Sequence, residues 1–184
     1  MNALKIFFRK SIKSLSHEFF ICGIILLLLQ IACNSTNNQA KVYKERAALF
    51  FNSVYGGNPS KIDELISDDF ISVYPSYLTL FNKPGFCGRK EFEDFALGFN
   101  QRWKETKIKF DEITTEENRV ALVWTFSGVW SSTVIVNNFE TGKEYTWGGI
   151  TVVHFNKDGN INMELGIEDS PGPYELLQQF DNSN

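Results

Sequence analysis

From Tyr145 to Phe155 the chain reads YTWGGITVVHF, and from Ile161 to Glu168 it reads INMELGIE. Asn156-Lys157-Asp158-Gly159-Asn160 separates the two runs. Val, Ile, Thr and Phe suit a pleated surface, and Asp-Gly supplies the positive φ of a tight turn. The stretch therefore predicts a long β-hairpin. In its second strand Ile161, Met163, Leu165 and Ile167 alternate with Asn162, Glu164, Gly166 and Glu168. Strict alternation places the apolar set toward the core and carries Asp169 inward with it.

Upstream the period changes. Val42, Ala47, Leu49, Phe50 and Val54 form a helical stripe, widened by Tyr43 and Phe51 and stopped at Gly56-Gly57. Ile62, Leu65 and Ile66 predict a short second helix within PSKIDELISDDF, and Phe70 to Tyr74 a strand closed by Pro75. Ser76 to Gly88 shows no periodicity and reads as a loop, unusually apolar and so expected to fold over something. Phe92, Phe95, Ala96, Phe99 and Trp103 predict a third helix over 89–103. Strands are expected over 106–114, 119–130 and 132–139, and a short terminal helix over 174–180. In the strand over 119–130, Val120, Leu122, Trp124 and Phe126 form the heavier face, which should meet the helices. Gly148-Gly149 reads as a bulge. Helices segregated from strands argue an α+β fold, with helices on one face of a sheet.

The first 32 residues stand apart. Lys5, Arg9, Lys10 and Lys13 precede the apolar run Phe19 to Ala32, whose 14 residues suit a signal peptide better than a membrane span. Ile31-Ala32-Cys33 resembles a bacterial lipobox, with Cys33 the lipidated residue, although Gln30 stands where an aliphatic residue is usual. Asn34, rather than Asp, after the cysteine points to the outer membrane in that pattern. The expected division is a signal peptide over 1–32, a flexible tether over 33–40, and one domain over 41–181. The whole chain carries 18 Lys+Arg and 22 Asp+Glu, net −4; without the leader's four basic residues and Glu18, 14 and 21 remain, net −7. That balance argues against nucleic acid and against charge-driven membrane binding. The membrane is expected only through the lipid. Of the three cysteines only Cys87 remains as a thiol in the domain, so no internal disulfide framework is expected.

Ser67-Asp68-Asp69-Phe70-Ile71 after the helices, Gly88-Arg89 before the third helix, Arg119 to Trp124 with Ser127-Gly128, and Phe155, Asp158-Gly159, Ile161, Glu164 and Glu168-Asp169 recur in order. Together with Leu176 to Gln179 they resemble the SnoaL-like branch of the nuclear transport factor 2-like superfamily. The resemblance implies a cone-shaped α+β barrel, three N-terminal helices packed on a strongly curved antiparallel sheet, with a deep pocket between them. It also implies homodimers through the exposed sheet face, and chemistry that ranges from cyclases and isomerases to binding alone. In SnoaL-type cyclases a late Asp acts as acid/base on an enolisable substrate, and Asp169 matches that position. The sequence departs where the signature's aromatic is Leu165, and where a histidine gives way to Val73 or Tyr74.

Asp169 is thus the candidate general base, with His154 as its assistant across the hairpin. The alternative for Asp169 is a cap on the following turn, and for His154 a structural role. Tyr74, Tyr77, Trp103, Trp124, Trp130 and Trp147 are candidate walls for a small apolar molecule, or else core. One mature His and one mature Cys give no zinc constellation, and no phosphate-binding glycine loop or HExxH motif is present, so neither metal nor cofactor is expected. Two functions follow: an exported, lipid-anchored domain that binds a small apolar molecule without catalysis, or a lyase, isomerase or cyclase-like enzyme using Asp169 on a carbonyl substrate.

Overall fold

A computed structural model describes residues 38–133, 139–170 and 172–173. The chain divides into two compact units, Met1–Lys41 and Val42–Asn184. The signal peptide, most of the tether, Cys33, and the expected helix over 174–180 lie outside the described residues, as does most of the expected strand over 132–139.

Helix α1 runs through residues 42–55 of the second unit. Ala47, Phe50, Phe51 and Val54 recur at helical spacing and are buried. The expected second helix is not formed. A single 3₁₀ turn, Pro59–Lys61, leads into strand β1 (Ile66–Val73), because Ile66 already pairs with Ile161. The expected loop after it contains helix α2 (Pro75–Phe81) and the two-residue strand β2 (Phe86–Cys87). Pro75 closes the strand but also opens the helix, where its fixed φ fits the first turn. Tyr77 is buried under this element, so the apolar segment does fold over something. Helix α3 (Arg89–Arg102) follows, burying Phe92, Phe95 and Ala96. Four long strands follow among the described residues: β3 (Trp103–Glu116), β4 (Arg119–Trp130), β5 (Glu144–Phe155) and β6 (Ile161–Asp169).

The fold is α+β, three helices on a six-stranded sheet of order β2-β1-β6-β5-β4-β3. The sheet is mixed and open, not a closed antiparallel barrel: β1 runs parallel to β6, and β2 and β3 form the edges. The heavy face of β4 meets the helices as expected, with Val120, Leu122, Trp124 and Phe126 all buried. Aromatic rings dominate this layer. The Phe51 ring lies tilted on Trp124 with centroids 5.0 Å apart, and Phe50 meets Phe70 edge-on at 5.6 Å. Each such side chain contributes about 1.5–3 kcal/mol by leaving water.

Gly148-Gly149 is not a bulge, since β4 and β5 stay in register through it. The glycines permit close approach instead. A Cβ at Gly149 would lie 2.3 Å from the Ile167 carbonyl oxygen, and Gly172 packs directly on the Gly148 backbone.

Candidate functional site

The site is set by one irregularity in the final hairpin. Phe155 pairs with Ile161, but His154 pairs with Met163, so Asn162 is an extra residue in β6. Because side chains alternate with period two, one inserted residue exchanges the faces of everything beyond it. Ile161 points inward as expected. After it Glu164, Gly166 and Glu168 face inward, while Met163, Leu165, Ile167 and Asp169 face out. Leu165 and Ile167 are exposed, and Glu164 is fully buried.

Glu164 accepts hydrogen bonds from Ser72 Oγ on β1 (2.6 Å) and from the Tyr55 hydroxyl on α1 (3.3 Å). The Ser72 and Tyr77 hydroxyls lie 3.0 Å apart and share a further bond. Burial pushes the Glu164 carboxyl up to about 7, against the pull of Ser72 and Tyr55 and with help from the charge of Glu168. The acid is therefore partly neutral near neutral pH, and its Oε2 has no partner among the described residues. Burial, then the charge of Glu164, raises the Tyr55, Tyr74 and Tyr77 phenols, so all three remain protonated donors.

Glu168 is the second inward carboxylate. Burial raises its pKa, and the Ser76 and Trp147 side chains offset part of that rise. Between the two acids sits Gly166. A Cβ there would lie 2.1 Å from Cε1 of Tyr74, so the glycine makes room for that ring to cross β6. The Tyr74 hydroxyl is held by Thr151 Oγ1 (2.7 Å), which also accepts from Trp124 Nε1 (2.9 Å).

Inside this frame is a chamber of about 20 Å³. Helix residues Phe51, Tyr55 and Phe99 wall one side; Trp124 and Phe126 of β4, Trp147 of β5, Tyr74 and Glu168 complete it. That volume is about one water molecule by the same kind of measure. Outside it, a groove of about 750 Å³ runs along Val73, Leu78, Ile150, Val152, Leu165 and Ile167. Tyr74 and Glu168 border both spaces. A separate charged hollow of about 900 Å³ lies at the start of α3, where Arg89 pairs with Asp63 and Asp68. Among the described residues no group of three or more His, Cys, Asp or Glu gathers as a metal site.

The sequence candidates separate accordingly. Tyr74, Trp124 and Trp147 line the chamber, and Tyr77 stands behind it beside Ser72. Trp103 and Trp130 do not reach it; they pack together at 5.0 Å, with Phe139 against both. Asp169 does not point inward. It is exposed, and its Oδ1 accepts the Ser170 N–H at 2.7 Å, which caps the turn. His154 is on the outer face opposite Arg119 and Met163, with its pKa lowered by burial and by Arg119. Asp169 pairs with Gly148, six residues further along β5, so the two side chains are roughly 20 Å apart at ~3.3 Å per residue. They cannot act together. Sequence reasoning missed Glu164 and Glu168 as inward groups. The signal was present as two acids flanking a glycine at alternate positions, but the inserted residue concealed which face they occupy.

A SnoaL-like domain model matches residues 47–162, from within α1 through β5 to the first two residues of β6. The chain belongs to the SnoaL-like domain family. Solved structures support the fold of this SnoaL-like domain. A candidate SnoaL-like polyketide cyclase from Shewanella denitrificans superposes with a TM-score of 0.59 at 10% identity, covering 75% of this chain and 98% of that one. IdmH, a candidate polyketide cyclase from Streptomyces antibioticus, gives 0.57 at 17% identity, covering 74% and 98%. A hypothetical protein with a ketosteroid isomerase-like fold from Catenulispora acidiphila, solved in complex with trimethylamine, gives 0.52 at 10%, covering 69% and 85%. At these identities the likeness concerns the fold. No curated protein matches the sequence.

Proposed function

We propose that this SnoaL-like domain is exported, held at the bacterial outer membrane by a lipid on Cys33, and binds a small, largely apolar molecule in a conical pocket that narrows to the inner chamber. The observation that carries the binding reading is the wall itself, seven aromatic side chains and a single carboxylate, Glu168. Rings supply apolar contact and one polar group fixes orientation, which is the usual division of labour in a ligand site. The chamber admits a water-sized guest as it stands, so a larger ligand enters by displacing the partly buried rings Tyr55, Phe99 or Trp147. Export and anchoring rest on the basic and apolar leader ending in Ile31-Ala32-Cys33. The reading includes a homodimer through the outer sheet face, supported by the exposed Ile150, Leu165 and Ile167.

Thermal unfolding tests the binding. A panel of small apolar compounds such as phenol, cyclohexanone and indole should include members that raise the midpoint by about 5–10 °C at a hundredfold excess over the dissociation constant. Phe99→Trp, which adds volume at the chamber, should abolish the rise. A panel that shifts neither protein refutes the reading.

A second reading is favoured by the raised pKa of Glu168: proton transfer to or from a bound carbonyl compound by Glu168, in the role the sequence offered to Asp169. Under it Glu168→Gln abolishes turnover and leaves Asp169→Asn fully active.

A further inference from the structure

We propose that the inner chamber is a site for the head group of a small alkylammonium cation. The inference rests on the reading that the chamber binds a small molecule, and it names that molecule's charge.

The polar ends of the wall rings are already committed, that of Trp147 to Glu168 itself. The Tyr55 hydroxyl donates to Glu164, the Tyr74 hydroxyl is held by Thr151, and Trp124 Nε1 donates to the same threonine. What these rings present to the chamber is carbon surface and π-electron density. Phe51, Phe99 and Phe126 can present nothing else. Aromatic faces attract cations, and most strongly where water is excluded.

The charged inventory points the same way. Glu168 is the one carboxylate on the wall, and no Lys, Arg or His lines it. A neutral apolar guest would satisfy the rings and give Glu168 nothing beyond what Ser76 and Trp147 supply. An anion would meet Glu168, whose charge reaches as far as Glu164 behind it. A methylated ammonium group satisfies both features, its methyls against the rings and its charge beside the carboxylate. The 20 Å³ present holds about one water, so a head group enters only by moving Trp147, which is partly buried, and a compact one needs the least movement. Access is short, because Glu168 and Tyr74 also border the outer groove. The net charge of −4 favours approach of a cation.

The test is a titration of the purified mature protein with trimethylammonium chloride and, separately, with tert-butanol as a neutral molecule of like size. The readout is the indole N–H resonances of the four tryptophans in nitrogen-15 correlated NMR spectra. Trimethylammonium should move the Trp124 and Trp147 resonances saturably and leave Trp130 in place. Its dissociation constant should be at least about tenfold below that of tert-butanol. In Glu168→Gln the two constants should converge to within about threefold. Trp147→Leu, which keeps the carboxylate, should weaken the cation more than the alcohol. Equal affinity for the two probes in the wild type overturns the cation assignment and leaves small-molecule binding standing. Cation affinity unchanged in Glu168→Gln, or shifts confined to Trp103 and Trp130, also overturns it. If neither probe moves Trp124 or Trp147, the cation site and the binding reading fall together.

Discussion

Glu164→Gln replaces a fully buried ionisable group with a neutral one of the same shape. The carboxyl is fully buried and its pKa stands at about 7 instead of 4.5. In the unfolded chain it loses its proton near 4.5; in the fold it holds the proton to about 7. Between those values the folded state binds more protons, so this group makes stability fall as pH rises, and the loss levels off above about 7. At about 1.36 kcal/mol per pH unit, the gap amounts to ~3 kcal/mol. Gln retains an oxygen to accept from Ser72 and Tyr55 and places a neutral amide where Oε2 has no partner. It therefore imitates the protonated acid. Urea unfolding of both proteins should be measured from pH 5 to pH 8.5. The stability difference should move toward the variant by ~2.5 kcal/mol across that range, since part of the loss is complete by pH 5, with the variant the more stable at the alkaline end. Glu168, whose pKa is raised, and His154, whose pKa is lowered, titrate in both proteins and cancel to first order in the difference. Two curves that stay parallel within ~0.5 kcal/mol would show that Glu164 is not held neutral by burial, and the argument would be wrong.

Gly166→Ala should cost about 1–3 kcal/mol in urea unfolding, because its Cβ meets a Tyr74 ring that Thr151 holds in place. Asp169→Asn should change stability by less than ~0.5 kcal/mol and leave ligand binding intact, since Asn still accepts the Ser170 N–H. Mass spectrometry of the mature N-terminus should find an acylated Cys33; an intact leader or cleavage elsewhere would remove the anchor from the proposal. Ile167→Lys, at an outer-face position 69% exposed, should convert a sheet-face dimer to monomer in analytical ultracentrifugation. An unchanged sedimentation coefficient would place any dimer elsewhere.

Elements whose sequence carries one unmistakable period were legible. The alternation of β4 from Val120 to Phe126 gave both the strand and the face that meets the helices. The turn at Asp158-Gly159 was equally direct, with Gly159 at φ 79° as the turn requires, and the stripes of α1 and α3 were legible except that Val42 and Leu49 are exposed and Trp103 begins β3. Elements fixed by distant partners were not. Ile62, Leu65 and Ile66 keep helical spacing, yet the chain is already extended at Ile66 because β6 supplies its parallel neighbour. Nothing local to residues 59–70 reports that partner, nearly a hundred residues away. Pro75 was ambiguous in another sense, since the same ring that ends a strand is favoured at the start of a helix. Only the packing of Tyr77 beside Ser72 and Phe86 decides for helix.

The misplaced site has a single cause, and it runs through both faces of the sheet. Alternation identifies which residues share a face only while the strand stays regular. Before Asn162 the apolar parity of β6 points inward, and Ile161 is buried. After it the same parity points outward, so Leu165 and Ile167 become the outer apolar surface and Asp169 a turn cap. The exchange brings Glu164 and Glu168 inside, where apolar side chains would have been easier to accommodate. Two carboxylates in an aromatic interior are costly in isolation. That cost is offset in part for Glu164 by Ser72 and Tyr55, and in part for Glu168 by Ser76 and Trp147. A fold selected for stability alone would gain by filling both positions with Leu. Glu164 keeps an oxygen without a partner among the described residues, whereas Glu168 stands on the chamber wall, where a bound molecule can reach it.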